Sequence, residues 1–288
     1  VEWFSELGAN FPFEWWQVAL ILVAGVWAGL INTIVGSGTL VTFPVLVTMG
    51  VSPVTATMSN AMGLIAGNLT GAWGYRSKLK GVVRTLLKLI PCSVVGGVVG
   101  AALLMHLPEE VFAYVAPVLI LVALGFVVFQ PRLQAAVRAK KEQQAKRAAG
   151  RAEAAGQQAP PLDPDRESQP LSLYILVFLA AVYGGYFVAA QGVLLLGILG
   201  VFLMASMQSA NAVKTVLVAV VNIVAALSYV IFAFDRVNWW VVLLIAISST
   251  VGSWVGAKVG QRLSPVALRT VIVLLGVVAL ANMIRQLI

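Results

Sequence analysis

The chain has 288 residues, of which 60% are hydrophobic and 10% charged, with a mean hydropathy of +0.94. Too few polar groups are present to cover a soluble surface, so most of the chain must be dissolved in lipid. A formal net charge of +8 would suit nucleic acid in a soluble protein, but here the basic residues cluster in loops and read as topology signals, leaving no nucleic-acid partner to expect.

In chain order, Glu2, Glu6 and Glu14 precede the first apolar run, where a cleaved secretory signal would carry positive charge instead. Apolar runs of about 20 residues, enough to cross a bilayer as a helix, occur at 15–35, 53–75, 85–105, 111–129, 171–190, 207–234, 239–257 and 265–284. Two shorter apolar segments, 39–50 and 193–205, follow the first and fifth runs. They read as short or re-entrant helices, tolerated at membrane depth only if buried in protein or lining a cavity. The fold class is therefore an all-α integral membrane protein.

The same unit occurs twice. The first copy carries Gly36-Ser37-Gly38-Thr39, Pro44 and Ser59-Asn60-Ala61; the second carries Gln191-Gly192, Asn211-Ala212, and Lys214 where the first has Gly63. Asn60 and Asn211 lie 151 residues apart, and Pro108 and Pro265 lie 157 apart, so the copies drift but stay in step. Gly96 and Gly100 recur as Gly252, Gly256 and Gly260, a small-residue spacing that lets helix backbones approach in lipid. We divide the chain into a first repeat at 1–130, a linker at 131–170 and a second repeat at 171–288.

Counting the short segment as a crossing gives five per copy, an odd number, which inverts the second copy. The charges point the same way. Arg76, Lys78, Lys80 and Arg84 form a basic loop whose counterpart, Asp235-Arg236-Val237-Asn238, is nearly neutral; His106, Glu109 and Glu110 form an acidic loop whose counterpart is flanked by Lys258 and Arg262. Positive-inside reasoning then puts the N-terminus outside and the linker in the cytoplasm. The hydrophilic stretch from Gln130 to Gln169 begins as an Ala/Lys/Gln/Arg helix-former and ends in Pro160-Pro161 and Asp163-Pro164, so it is expected to be helical and then disordered.

Inverted repeats built around glycine-broken polar segments are the signature of a secondary transporter. At Gly36-Ser37-Gly38-Thr39, and at Gln191-Gly192, unpaired N–H groups would open the next half-helix at a positive dipole end, an anion site. Asn211, Lys214 and Asn222 share one helical stripe. No acid lies inside a predicted span, so the counter-charge of Lys214 is a mobile anion, unless the side chain snorkels to the interface. Ser59, Asn60 and Asn68 either tie helices together or touch substrate. The single Cys92 excludes an internal disulfide, and His106 is the only histidine, at a helix boundary. No catalytic residue, metal site or cofactor is expected, and the chain does not read as an enzyme.

Gly36-Ser37-Gly38, Thr42-Phe43-Pro44, Ser59-Asn60, Gln191-Gly192 and Asn211-Ala212-Val213-Lys214 together resemble the sulfite exporter TauE/SafE family, also called the TSUP anion permeases. Members typically carry a more glycine-rich first break. The resemblance implies a multi-pass protein of the bacterial inner membrane that moves a small sulfur-containing anion, sulfite or an organosulfonate such as sulfoacetate. An inside-negative membrane drives each negative charge outward by about 2.3 kcal/mol per 100 mV, which favours export by alternating access. An anion channel and an uptake permease for the same anion class are the alternatives.

Overall fold

The computed structural model describes residues 13–154, 169–203, 205–259 and 265–287. Ten α-helices are found among them: α1 (Trp15–Ile34), α2 (Thr39–Thr48), α3 (Pro53–Gly74), α4 (Val83–His106), α5 (Glu109–Ala154), α6 (Leu171–Phe187), α7 (Gln191–Phe202), α8 (Met207–Phe232), α9 (Trp239–Val259) and α10 (Pro265–Leu287). No strand occurs in the described residues. Helix starts follow local chemistry. Ser52 accepts a hydrogen bond from the Thr55 N–H at 3.4 Å ahead of Pro53, and Ser206 accepts one from Ser209 at 3.1 Å.

Among the described residues, five helical stretches are long and apolar enough to cross a membrane: Trp15–Ile34, Val83–His106, Glu109–Arg132, Met207–Phe232 and Trp239–Lys258. Helix α3 has the length, at 22 residues, but turns a polar set inward: Thr57, Ser59 and Asn60 are all fully buried. Helix α6 stops at Phe187, short of the expected 171–190, because the chain turns sharply at Val188. Helix α5 runs on through Pro131 to Ala154, 46 residues or about 69 Å. The helical opening expected of the linker is thus continuous with the preceding span. The disorder expected after it falls on 155–168, outside the described residues. Gln130, read as the first hydrophilic linker residue, is instead 3% exposed, its amide turned toward the end of α1.

Each short helix folds back on its predecessor. A methyl carbon added at Gly38 would meet the Ala28 carbonyl at 2.3 Å, and Thr42, Val45 and Leu46 of α2 line a narrow gap with Ile21 and Ala24 of α1. Leu176 of α6 likewise shares a cavity of about 230 Å³ with Gly197, Ile198 and Val201 of α7. Both pairs are helical hairpins. The returning arms have 10 and 12 residues, about 15 to 18 Å, and so are shorter than a 30 Å hydrocarbon core. Each half thus contains five helices, α1–α5 and α6–α10, with its short helix folded back on the one before it.

Close glycine contacts fix the remaining directions. Helix α9 runs parallel to α1, Gly252 facing Val26 and Gly256 facing Leu30, and parallel to α3, with Ile245 on Gly63 and Ala257 on Gly74. Helix α4 runs parallel to α6, Gly96 facing Phe178 and Ala181, and Gly100 facing Val182 and Gly185. The recurring glycines are thus packing surfaces; Gly260 lies outside the described residues. The Gly74–Ala257 contact brings the Arg76–Leu79 turn and Lys258 to one end of the bundle. At the other end Arg236 donates to the Met105 carbonyl at 3.2 Å, joining the Asp235 turn to the Glu109-Glu110 turn.

These contacts separate glycines that must stay from one that need not. A methyl carbon at Gly252 would lie 1.9 Å from the Val26 carbonyl oxygen, whereas one at Gly125 meets nothing within 4 Å. We expect Gly252→Ala to destabilise by about 1 to 3 kcal/mol through overpacking. Gly125→Ala should stabilise by up to about 1 kcal/mol. Thermal unfolding of the two variants in the same detergent checks the order.

Candidate functional site

The tips of the two hairpins touch. Helix α1 ends at Ile34, Gly36 takes φ +95°, and Gly38 opens α2. Added methyl carbons at Gly36 and Gly192 would each lie 2.7 Å from backbone atoms of the other. No side chain fits at either position, and Gly36 also needs the left-handed backbone that glycine adopts freely. The sequence-predicted paired break thus comes together in space.

The second break is made differently from the expectation. It lies at Val188-Ala189-Ala190, and Gln191-Gly192 open the helix that follows. Val188 has φ +65° and Ala190 has φ +58°. The Ala189 N–H donates to the Phe187 carbonyl at 2.7 Å, closing a γ-turn around Val188. This kind of turn is rare and strained, more so on a β-branched residue, and non-glycine residues held at positive φ cost of order 1 to 3 kcal/mol each.

Breaking α1 leaves carbonyls at its C-terminal end that no later turn can satisfy. Side chains from other helices reach them. Lys214 Nζ donates to the Asn32 carbonyl at 3.0 Å, Asn211 Nδ2 to the Thr33 carbonyl at 3.2 Å, and Gln130 Nε2 to the Val35 carbonyl at 3.4 Å. Lys214 is 1% exposed, so it does not snorkel, and it forms no ion pair among the described residues. Its charge instead faces the negative end of a helix dipole. The end of α6 is met by a neutral group, the Tyr229 hydroxyl, which donates to the Gly185 carbonyl at 3.1 Å.

The other expected residues divide by what they bond. Asn60 accepts from the Thr42 hydroxyl at 2.5 Å and donates to Thr39 at 3.1 Å, stitching α2 to α3. Ser59 accepts from the Asn238 N–H at 2.8 Å and so anchors the start of α9. Asn68 accepts from the Asn32 amide at 2.5 Å, steadying the residue whose carbonyl holds Lys214. Ser37 Oγ, both amide atoms of Gln191 and both of Asn222 are buried and find no protein partner. Ser37 and Gln191 each neighbour a contacting glycine, so their Cα atoms lie about 3.8 Å from it. Asn222 sits eight residues, or about 12 Å, along α8 from Lys214, and no hydrogen bond joins it to the others.

Sequence reasoning missed Asn32, Gln130 and Tyr229. Asn32 carried a usable signal, an amide four residues before Gly36 in an apolar run. Among the described residues no three of His, Cys, Asp or Glu come together. The site's polar chemistry consists of amides, hydroxyls, half-helix ends and one lysine, which suits an anion.

If the glycine contact sets the position of the hairpins, Gly36→Ala and Gly192→Ala should both lower the melting temperature, Gly36→Ala more, since it adds backbone strain to the clash. Val188→Gly should lower stability by about 1 to 2 kcal/mol, because losing a buried core side chain outweighs the relief of the γ-turn. Differential scanning fluorimetry of the purified variants tests all three.

The family model described as sulfite exporter TauE/SafE matches residues 21–283. No curated protein and no solved structure matches the chain. Matched from the middle of α1 nearly to the end of α10, both hairpins included, this multi-pass membrane protein belongs to the sulfite exporter TauE/SafE family.

Proposed function

We propose that the protein is a secondary transporter exporting a small sulfur-containing anion, sulfite or an organosulfonate such as sulfoacetate, across the bacterial inner membrane by alternating access. One observation carries this reading: the glycine contact between the hairpin tips, flanked by the unpartnered Ser37 and Gln191 and by two half-helix N-termini. Buried polar atoms without partners are costly. Groups of this kind at paired helix breaks near the midplane are suited to a ligand that arrives from solution. The closed contact favours a carrier over a continuously open pore.

In this reading Gly36, Ser37, Gly38, Gln191 and Gly192 form the contact surface for the anion, with Lys214 and Asn211 beside it. Thr39, Ser59, Asn60 and Asn68 hold the frame, and Asn222 supplies a further unpaired amide on α8. The inverted-repeat architecture, with repeats at 1–130 and 171–288 joined by 131–170, draws support from helix direction. Helix α1 starts at the end of the bundle that carries Asp235, and α6 starts at the end that carries Lys258, because their partners α9 and α4 run in opposite senses. Exchanging the halves maps the α1–α9 pair onto α6–α4. The basic end, with Arg76, Lys78, Lys80, Arg84 and Lys258, is assigned to the cytoplasm, which puts the N-terminus outside and the linker inside.

Counterflow in proteoliposomes at clamped potential, against sulfite, sulfoacetate, simpler sulfonates and chloride, tests substrate and direction together. We expect saturable exchange of a sulfur anion, faster outward at inside-negative potential. Unitary currents would instead establish a channel. Gln191→Leu should weaken the apparent affinity about tenfold. Cysteines at positions 80 and 235 should react with impermeant reagents from opposite sides, and labelling from the same side would overturn the assigned topology.

A further inference from the structure

The lysine at the first break does more than a helix end requires. Asn211 and Gln130 show that a neutral amide satisfies a free carbonyl of this break at 3.2 to 3.4 Å, and Tyr229 shows that a hydroxyl suffices at the second. A cation in an apolar span is the expensive choice. It is also made at only one of the two breaks. The position of the first copy that corresponds to Lys214 is Gly63, where a methyl carbon would already lie 2.7 Å from Ile245. The ammonium has three N–H donors and spends one on Asn32.

In transporters with discontinuous helices, the negative C-terminal ends of the broken segments coordinate the coupling cation while N-terminal ends face an anionic group. Here the C-terminal end of α1 is occupied by a cation that belongs to the chain. We propose that the Lys214 ammonium is a tethered counter-cation, filling the place that a dissolved cation takes elsewhere, so that the anion moves without a co-transported metal ion. The Asn32–Asn68 amide pair holds the carbonyl that receives it, and the ammonium's two remaining N–H groups are left for the anion. This rests on the anion-transport reading and specifies how its charge is balanced.

The test uses the full chain in lipid. Wild-type sulfite counterflow should change less than twofold when sodium and potassium are replaced by N-methylglucamine at constant ionic strength; a strict requirement for either metal ion would overturn the proposal. Lys214→Ala removes the ammonium and opens a cavity of its size. Its counterflow should fall at least tenfold and recover at least fivefold with propylammonium, but not with tetramethylammonium, which lacks N–H donors. Melting measured without any sulfur anion supplies an independent arm: propylammonium should raise the melting temperature of Lys214→Ala and leave the wild type unmoved. If that shift appears while the wild type carries no sulfur anion, the transport reading fails and the cation site stands. If the wild type transports but neither readout of Lys214→Ala responds to propylammonium, the tethered cation is wrong. Should Lys214→Ala fail to fold, Lys214→Arg and Lys214→Gln decide: flux must survive with arginine and be lost with glutamine, and equal flux in the two sinks the idea.

Discussion

The backbone contact between Gly36 and Gly192 is the constraint on which the rest of the structure depends. Two polypeptide backbones can meet this closely only where neither carries a side chain, and helices can meet end to end at membrane depth only if both are interrupted there. Interruption exposes carbonyls in a region without bulk water, where every unsatisfied group is costly. Partners for those carbonyls must come from neighbouring helices, which fixes what α5 and α8 carry on their inward faces. Gln130, Asn211, Lys214 and Tyr229 are consequences of the contact in this sense.

The two hairpins solve the same geometric problem by different chemistry. The first uses glycine at positive φ and spreads its polar demand over Thr39, Thr42, Asn60, Lys214, Asn211 and Gln130. The second uses no glycine in the turn itself. It closes a γ-turn on Val188, holds Ala190 in the left-handed region, and leaves the Gln191 amide without a protein partner, wedged against Gly184. Strain and unmet hydrogen bonding are therefore concentrated on the hairpin that enters from the basic end. The residues proposed to meet the anion therefore sit beside the most strained backbone of the two hairpins.

Much of this was legible in the chain. Hydropathy gave the helices, Gly36-Ser37-Gly38 gave the first break, and glycine spacing gave the faces on which α4 and α9 pack. What stayed hidden depended on tertiary partners. Val188-Ala189-Ala190 contains no glycine or proline, so nothing local marks a turn that surrounding packing imposes. Gln130 ends an apolar run and reads as the first solvated residue; only the open end of α1 explains its burial. Asn60 and Asn211 occupy matching places in the repeats and share a residue type, yet one amide is spent between α2 and α3 while the other reaches the α1 end. Correspondence in sequence predicts location better than it predicts bonding.

Electrostatics sharpen the role of the single asymmetric residue. Each break presents one C-terminal and one N-terminal helix end, carrying about −0.5 and +0.5 of an elementary charge. Over the two hairpins these contributions cancel in net charge while remaining separated in space, so they make a dipolar field without a net charge. Neutral amides and hydroxyls do the same. Lys214 alone changes the sum, and it does so from α8, a helix packed against both α3 and α4, rather than from either hairpin. Its ammonium bonds the Asn32 carbonyl at the end of α1, so the charge also ties the first hairpin to α8.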